Sequence, residues 1–118
     1  MIYKMYLDDI RVPIQTYKTS QNSDWVIVRS YDEFVNCITE NGLPFMISFD
    51  HDLSIDHYIP EIDPTTYTEK TGYDCAKWLI NYCMDNKQSL PSFMVHSMNP
   101  VGAHNIRSLL NKFSEDNS

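Results

Sequence analysis

The stretch Met46-Ile47-Ser48-Phe49-Asp50-His51-Asp52-Leu53 constrains this chain more than any other. A short, mainly apolar run stops abruptly in two carboxylates flanking an imidazole. A strand covered on both faces of a parallel sheet reads as a continuous apolar run of this length. A buried carboxylate is costly unless it is paired or bound to a metal. Asp50-His51-Asp52 at a strand end therefore points to a metal, a phosphate-bearing ligand or proton-transfer chemistry. Two other predicted strands end in reactive groups as well: Tyr6-Leu7 in Asp8-Asp9, and Met94-Val95 in His96-Ser97.

The rest of the chain supplies a frame for these three ends. Ile2 to Leu7 reads as the first strand, and Pro13 stops any regular continuation of it. Pro13 to Asp24 is polar and predicts a loop with at most one helical turn. Trp25 to Val28 is a second strand. Ser30 and Glu33 form a capping-box pattern ahead of Phe34, Val35 and Ile38, and Gly42 stands where a helix terminator belongs, so a helix is expected from Tyr31 to Asn41. Phe45 to Phe49 is the third strand. Residues 54–71 contain Pro60 and Pro64 and show no period; a loop of this length usually has a function, and a lid over the Asp-His-Asp stretch is the preferred reading. Gly72 to Lys87 carries Ala76, Leu79, Ile80, Cys83 and Met84 on one helical face, with Thr71 as N-cap. Ser92 to Val95 is a fourth strand. Asn99-Pro100 opens a last helix as an Asn cap followed by Pro, and 114–118 is expected to fray.

Strands alternating with helices predict an α/β domain with a mostly parallel sheet. A flavodoxin-like three-layer sandwich with four strands in the order 2-1-3-4 fits best. All 118 residues fit one domain. The net charge of −7 argues against a partner such as duplex nucleic acid, which demands clustered Lys and Arg. A single small nucleotide or cyclic phosphate beside a metal stays compatible with it. No apolar run approaches the roughly 20 residues of a membrane helix, and Met1-Ile2-Tyr3-Lys4 lacks a signal peptide's apolar core. Cys37, Cys75 and Cys83 read as small hydrophobes in a reducing cytoplasm.

In open α/β sheets ligands bind beyond the carboxyl ends of the strands, near the switch point of strand order. With the order 2-1-3-4 that switch lies between strands one and three, which end in Asp8-Asp9 and Asp50-His51-Asp52. Asp8, Asp9 and Asp50 are hard oxygen donors suited to Mg²⁺ or Mn²⁺. Taken alone, Asp8 and Asp9 are equally good turn residues; a third Asp at the neighbouring strand end favours the metal. His96 precedes the N-terminus of the last helix, where free N–H groups attract phosphate, and is the candidate general acid or base. His51 either assists with Asp52 or points to the opposite face as a structural residue. His57 and His104 are read as structural. Ser97 and Asn99 are candidate donors to phosphate oxygens. Arg11 is either a phosphate clamp or a surface residue.

Four segments together resemble one family. They are Leu7-Asp8-Asp9-Ile10-Arg11-Val12-Pro13, Ile47-Ser48-Phe49-Asp50-His51-Asp52-Leu53, Thr71-Gly72-Tyr73-Asp74-Cys75-Ala76-Lys77-Trp78-Leu79, and His96-Ser97-Met98-Asn99-Pro100-Val101-Gly102-Ala103-His104-Asn105-Ile106. Over nearly the whole chain the pattern is similar to that of the cyclic-phosphate-processing receiver-like domains, a divergent branch of the response-regulator receiver fold. The resemblance implies Asp8 and Asp9 as the acidic metal pair, Asp50 as the counterpart of the phosphoacceptor and Ser97 as the hydroxyl residue ending strand four. It also implies a role on cyclic phosphates in RNA repair or nucleotide-based conflict. The receiver's fifth strand and its lysine have no counterpart, and His51, Asp52 and His96 are not receiver hallmarks; both departures favour phosphoester chemistry over a phosphorelay.

The resulting expectation is a metal-dependent phosphoesterase for a small cyclic or terminal phosphate, with a metal at Asp8, Asp9 and Asp50. Proton transfer falls to His96 with His51 or Asp52, and substrate contacts to Ser97, Asn99 and Arg11. The alternative is a non-catalytic receiver-like module that binds a partner or sequesters a cyclic nucleotide.

Overall fold

In the computed structural model, residues 2–18, 24–53 and 70–116 are described. The elements follow one another as β1 (Lys4–Leu7), α1 (Pro13–Thr16), β2 (Trp25–Val28), α2 (Tyr31–Asn41), β3 (Met46–Phe49), α3 (Gly72–Asn86), β4 (Ser92–Val95) and α4 (Pro100–Asp116). The expected lid and His57 lie outside the described residues, apart from Lys70 and Thr71. The last helix continues to Asp116, past Ser114.

The four strands form one sheet in the order β2-β1-β3-β4, and every pairing is parallel. Register places Leu7 beside Val28 and Phe49, and Phe49 beside Val95. The strands therefore end level, and Asp8, Asp50 and His96 follow at the same height. Backbone bonds carry the ladder one step further: Asp8 N donates to the Val28 carbonyl, Asp50 N to Leu7 and His96 N to Phe49.

Parallel crossovers are right-handed, so α2 and α3, which step the same way across the sheet, cover one face. The core fills this face with Met5, Leu7, Val28, Ile47 and Phe49 from the strands against Phe34, Ile38, Leu79, Cys83, Ile106 and Leu110 from the helices. The β1-to-β2 connection steps the other way and covers the opposite face. Among the described residues that third layer is thin: the single turn α1 and Tyr17, which stacks on Trp25 at 5.7 Å. Tyr6 and Ser48 point into it and are fully buried.

Caps fix where the helices begin. Ser30 accepts from Glu33 N, and Thr71 from Asp74 N, with Asp74 returning the bond to Thr71 N. Asn99 Oδ1 accepts from Gly102 N at 2.9 Å. Gly72 and Gly102 serve close approach. A Cβ on Gly72 would strike the Asp50 carbonyl, and one on Gly102 would strike the His51 ring. Both helix starts thus press on the Asp50-His51-Asp52 turn and hold it.

Candidate functional site

Asp8 is 1% and Asp50 3% exposed, a cost for two neighbouring carboxylates that requires compensation. For Asp8 the compensation is dense. Its Oδ1 accepts from the backbone N–H groups of Ile10 and Arg11 at 3.0 and 2.8 Å. Its Oδ2 accepts from Arg11 Nε at 2.9 Å and from His96 Nε2 at 3.0 Å. Burial pushes the carboxyl up, but the bonds from His96, Ile10 and Arg11 and the guanidinium charge outweigh it, and Asp8 is held well below the usual carboxylate range.

Asp50 has less. It is bonded by its neighbour's His51 N and by the Ser97 hydroxyl, and Arg11 Nη2 stands 3.8 Å from its Oδ1. Burial and the adjacent Asp8 charge dominate, and its pKa is pushed up to about 7. Asp8, Asp9 and Asp50 each place an oxygen so that these atoms lie within 4.8 Å of one another. An all-oxygen donor set of this geometry fits a hard divalent cation with coordination left over for other ligands.

His96 crosses the tip of β3 to reach Asp8. Its ring lies flat against Tyr6, centroids 4.5 Å apart and planes 5° from parallel, and its side chain is 2% exposed. Burial pushes its pKa below the ordinary value, Arg11 adds to this, and the Asp8 carboxylate pulls against both; the net direction favours the neutral ring. An ionised Asp8 only accepts, so Nε2 carries the proton. Nδ1 then accepts from the Ser48 hydroxyl at 2.6 Å, and Ser48 Oγ accepts from the Tyr17 hydroxyl at 2.7 Å. A chain of bonds thus runs from Tyr17 along one face of the sheet to Asp8.

His51 and Asp52 form a second pair beside it. His51 Nδ1 is 2.8 Å from Asp52 Oδ1, which also accepts from Asn99 Nδ2 at 3.2 Å. Asp52 and Met98 join Asp8, Asp50, Ile10 and Arg11 as the lining of an open cleft of about 350 Å³.

The structure therefore gathers Asp8, Asp9, Asp50, Arg11, Ser97, His96 and the His51–Asp52 pair at one end of the sheet. Their arrangement differs in detail from the sequence expectation. Arg11 pairs with the two aspartates. Ser97 bonds Asp50 and also accepts from Asn99 N at 3.1 Å. Asn99 is spent on capping α4 and holding Asp52. Both His96 nitrogens are committed within the protein. Four residues of the site escaped sequence reading. Ser48, Tyr6 and Tyr17 looked like ordinary strand and loop residues, although the alternation of Ser48 and Asp50 places both on one face of β3. Arg29 donates to the carbonyls of Asp8 and Arg11 at 3.1 and 2.6 Å and so pins the loop that leaves β1.

An all-parallel 2-1-3-4 sheet with clustered aspartates beyond β1 and β3 defines a receiver-type α/β protein. The chain matches the family described as the cyclic-phosphate processing receiver domain over residues 3–112. It belongs to that family, as its four sequence motifs implied. No curated protein and no solved structure matches it. Among the described residues no helix is long and apolar enough to cross a membrane.

Proposed function

We propose that this protein is a metal-dependent phosphoesterase acting on a small cyclic or terminal phosphate, such as that of a nucleotide or an RNA end. The observation that carries the reading is the convergence of Asp8, Asp9 and Asp50 within 4.8 Å at the open end of the sheet, in a chain of a cyclic-phosphate processing family.

Asp8, Asp9 and Asp50 hold Mg²⁺ or Mn²⁺, and the bound cation supplies charge stabilisation for the phosphoryl oxygens. Arg11, on the rim between Asp8 and Asp50, turns its free donors toward the same oxygens. Ser97 orients Asp50. Asp52 lines the cleft and accepts the proton of the attacking water, while His51, at 2.8 Å, steadies the change in charge. Water adds across one P–O bond, the released oxygen takes up a proton, and a cyclic phosphate opens to a monoester. His96 acts in this scheme through Asp8: it keeps the carboxylate ionised and aimed, because neither of its nitrogens faces the cleft.

Incubation with Mg²⁺ or Mn²⁺ and a panel of 2′,3′- and 3′,5′-cyclic nucleotides tests the reading. Turnover lost in Asp50→Asn and Asp52→Asn supports it; turnover unchanged in both removes the assignment. The commitment of both His96 nitrogens favours a second reading, a receiver-like module that binds a cyclic nucleotide or a partner without turnover. Calorimetric binding with no product separates the two.

A further inference from the structure

The cleft above the aspartates is walled by two side chains that the chain itself leaves in solvent. Ile10 is 72% and Met98 81% exposed, and both line the same cavity as Asp8, Asp50 and Asp52. Ile10 lies on the loop leaving β1 and Met98 on the loop leaving β4, and these strands flank β3 on either side. The two apolar side chains therefore stand on opposite sides of the Asp50 tip. Single exposed apolar residues are ordinary, but a pair facing across a carboxylate-floored cleft gives one mouth two chemistries, charge below and apolar walls above.

We propose that Ile10 and Met98 are the jaws of an apolar clamp that holds the nucleobase of a mononucleotide whose phosphate sits at the acidic floor. This rests on the cation–phosphate reading of Asp8, Asp9 and Asp50. A flat base has two apolar faces, one for each jaw, with a polar edge left in water. The cavity, about 350 Å³, is at the lower end of small-molecule sites, which suits a single nucleotide and not a long acyl chain. The net charge of −7 argues against a polymer threading through. Met98 adapts its unbranched side chain to different ring shapes, so the clamp selects for a base without selecting strongly among bases.

The test is calorimetry in Mn²⁺ with two probes, adenosine 2′,3′-cyclic phosphate and methyl riboside 2′,3′-cyclic phosphate, on the wild type and on Ile10→Ser/Met98→Ser. The wild type is expected to bind the adenosine compound about tenfold more tightly than the abasic one. The double variant, altered only at exposed positions, is expected to bind both alike and to keep its Mn²⁺ affinity. Equal binding of the two probes by the wild type overturns the clamp and leaves the phosphate reading standing. A preference retained by the double variant also overturns it, placing the base elsewhere. Binding of neither probe removes the phosphate reading, and the clamp with it.

Discussion

His96 Nε2 donates to Asp8 Oδ2 at 3.0 Å across 88 residues of sequence, and the bond spans the end of an intervening strand. It ties the outer strand β4 to β1 over the top of β3. Ser48 bonds the ring's other nitrogen and Tyr6 stacks on its face. The pair couples the stability of the sheet's open end to the orientation of a carboxylate that the site uses.

Removing the imidazole strands that carboxylate. His96→Ala leaves Asp8 and Ser48 each short of a buried partner, and Ser48→Ala leaves His96 Nδ1 and the Tyr17 hydroxyl short of one; each is expected to cost about 1–3 kcal/mol, with the larger loss for His96→Ala because it strands a carboxylate. Urea unfolding of the two variants measures the difference. A His96→Ala protein as stable as the wild type contradicts the buried network.

Asp50 gives the acidic cluster a pH dependence of defined sign. Its folded pKa, about 7, lies above the ordinary carboxylate value, so between about pH 4 and 7 the folded state carries the extra proton. Stability of the metal-free protein therefore falls as pH rises through this window and levels off above it, by at most about 1.4 kcal/mol per pH unit. Asp8, held low, acts oppositely and only in more acidic solution: its contribution is intact above about pH 4 and is lost below. Since a cation competes with the Asp50 proton, the rise in melting temperature on adding Mn²⁺ is expected to be small at pH 5.5 and larger at pH 8. Asp50→Asn flattens both profiles.

Arg11 brings positive charge to the two aspartates of the proposed cation site. Its Nε sits 2.9 Å from Asp8 and its Nη2 3.8 Å from Asp50. Arg11→Ala is expected to destabilise the protein in EDTA by about 1–3 kcal/mol, with a good part restored by millimolar Mg²⁺ or Mn²⁺. Thermal melts with and without chelator read this directly. Equal losses in both conditions sever the link between Arg11 and the cation site.

The two helix-start glycines rank in a definite order. Gly72→Ala forces a methyl group into the Asp50 backbone carbonyl, which the sheet holds in place. Gly102→Ala meets the His51 ring and its Cβ, in a side chain tied to Asp52, but with a smaller overlap than the backbone clash at Gly72. Gly72→Ala is therefore expected to lower stability by about 3 kcal/mol, and Gly102→Ala by about 2 kcal/mol. Thermal melts of both variants check the order.

Much of the frame was written in local patterns. The apolar runs ending at Leu7, Val28, Phe49 and Val95, the caps at Ser30, Thr71 and Asn99, and the alternation of strands and helices lead to a parallel sheet ordered 2-1-3-4, because short-range sterics and right-handed crossovers leave few alternatives. The positions of Asp8, Asp9 and Asp50 follow from that order, since strand ends that stand level bring their next residues together. The partnerships did not follow. Nothing local distinguishes a His96 that faces solvent from one that reaches over β3 to Asp8, or an Asn99 that greets a phosphate from one that caps α4 and grips Asp52. Hydrogen-bond partners far apart in sequence, and which face of a buried ring is covered, are decided only when the strands are stacked and each polar group must find a mate inside the fold.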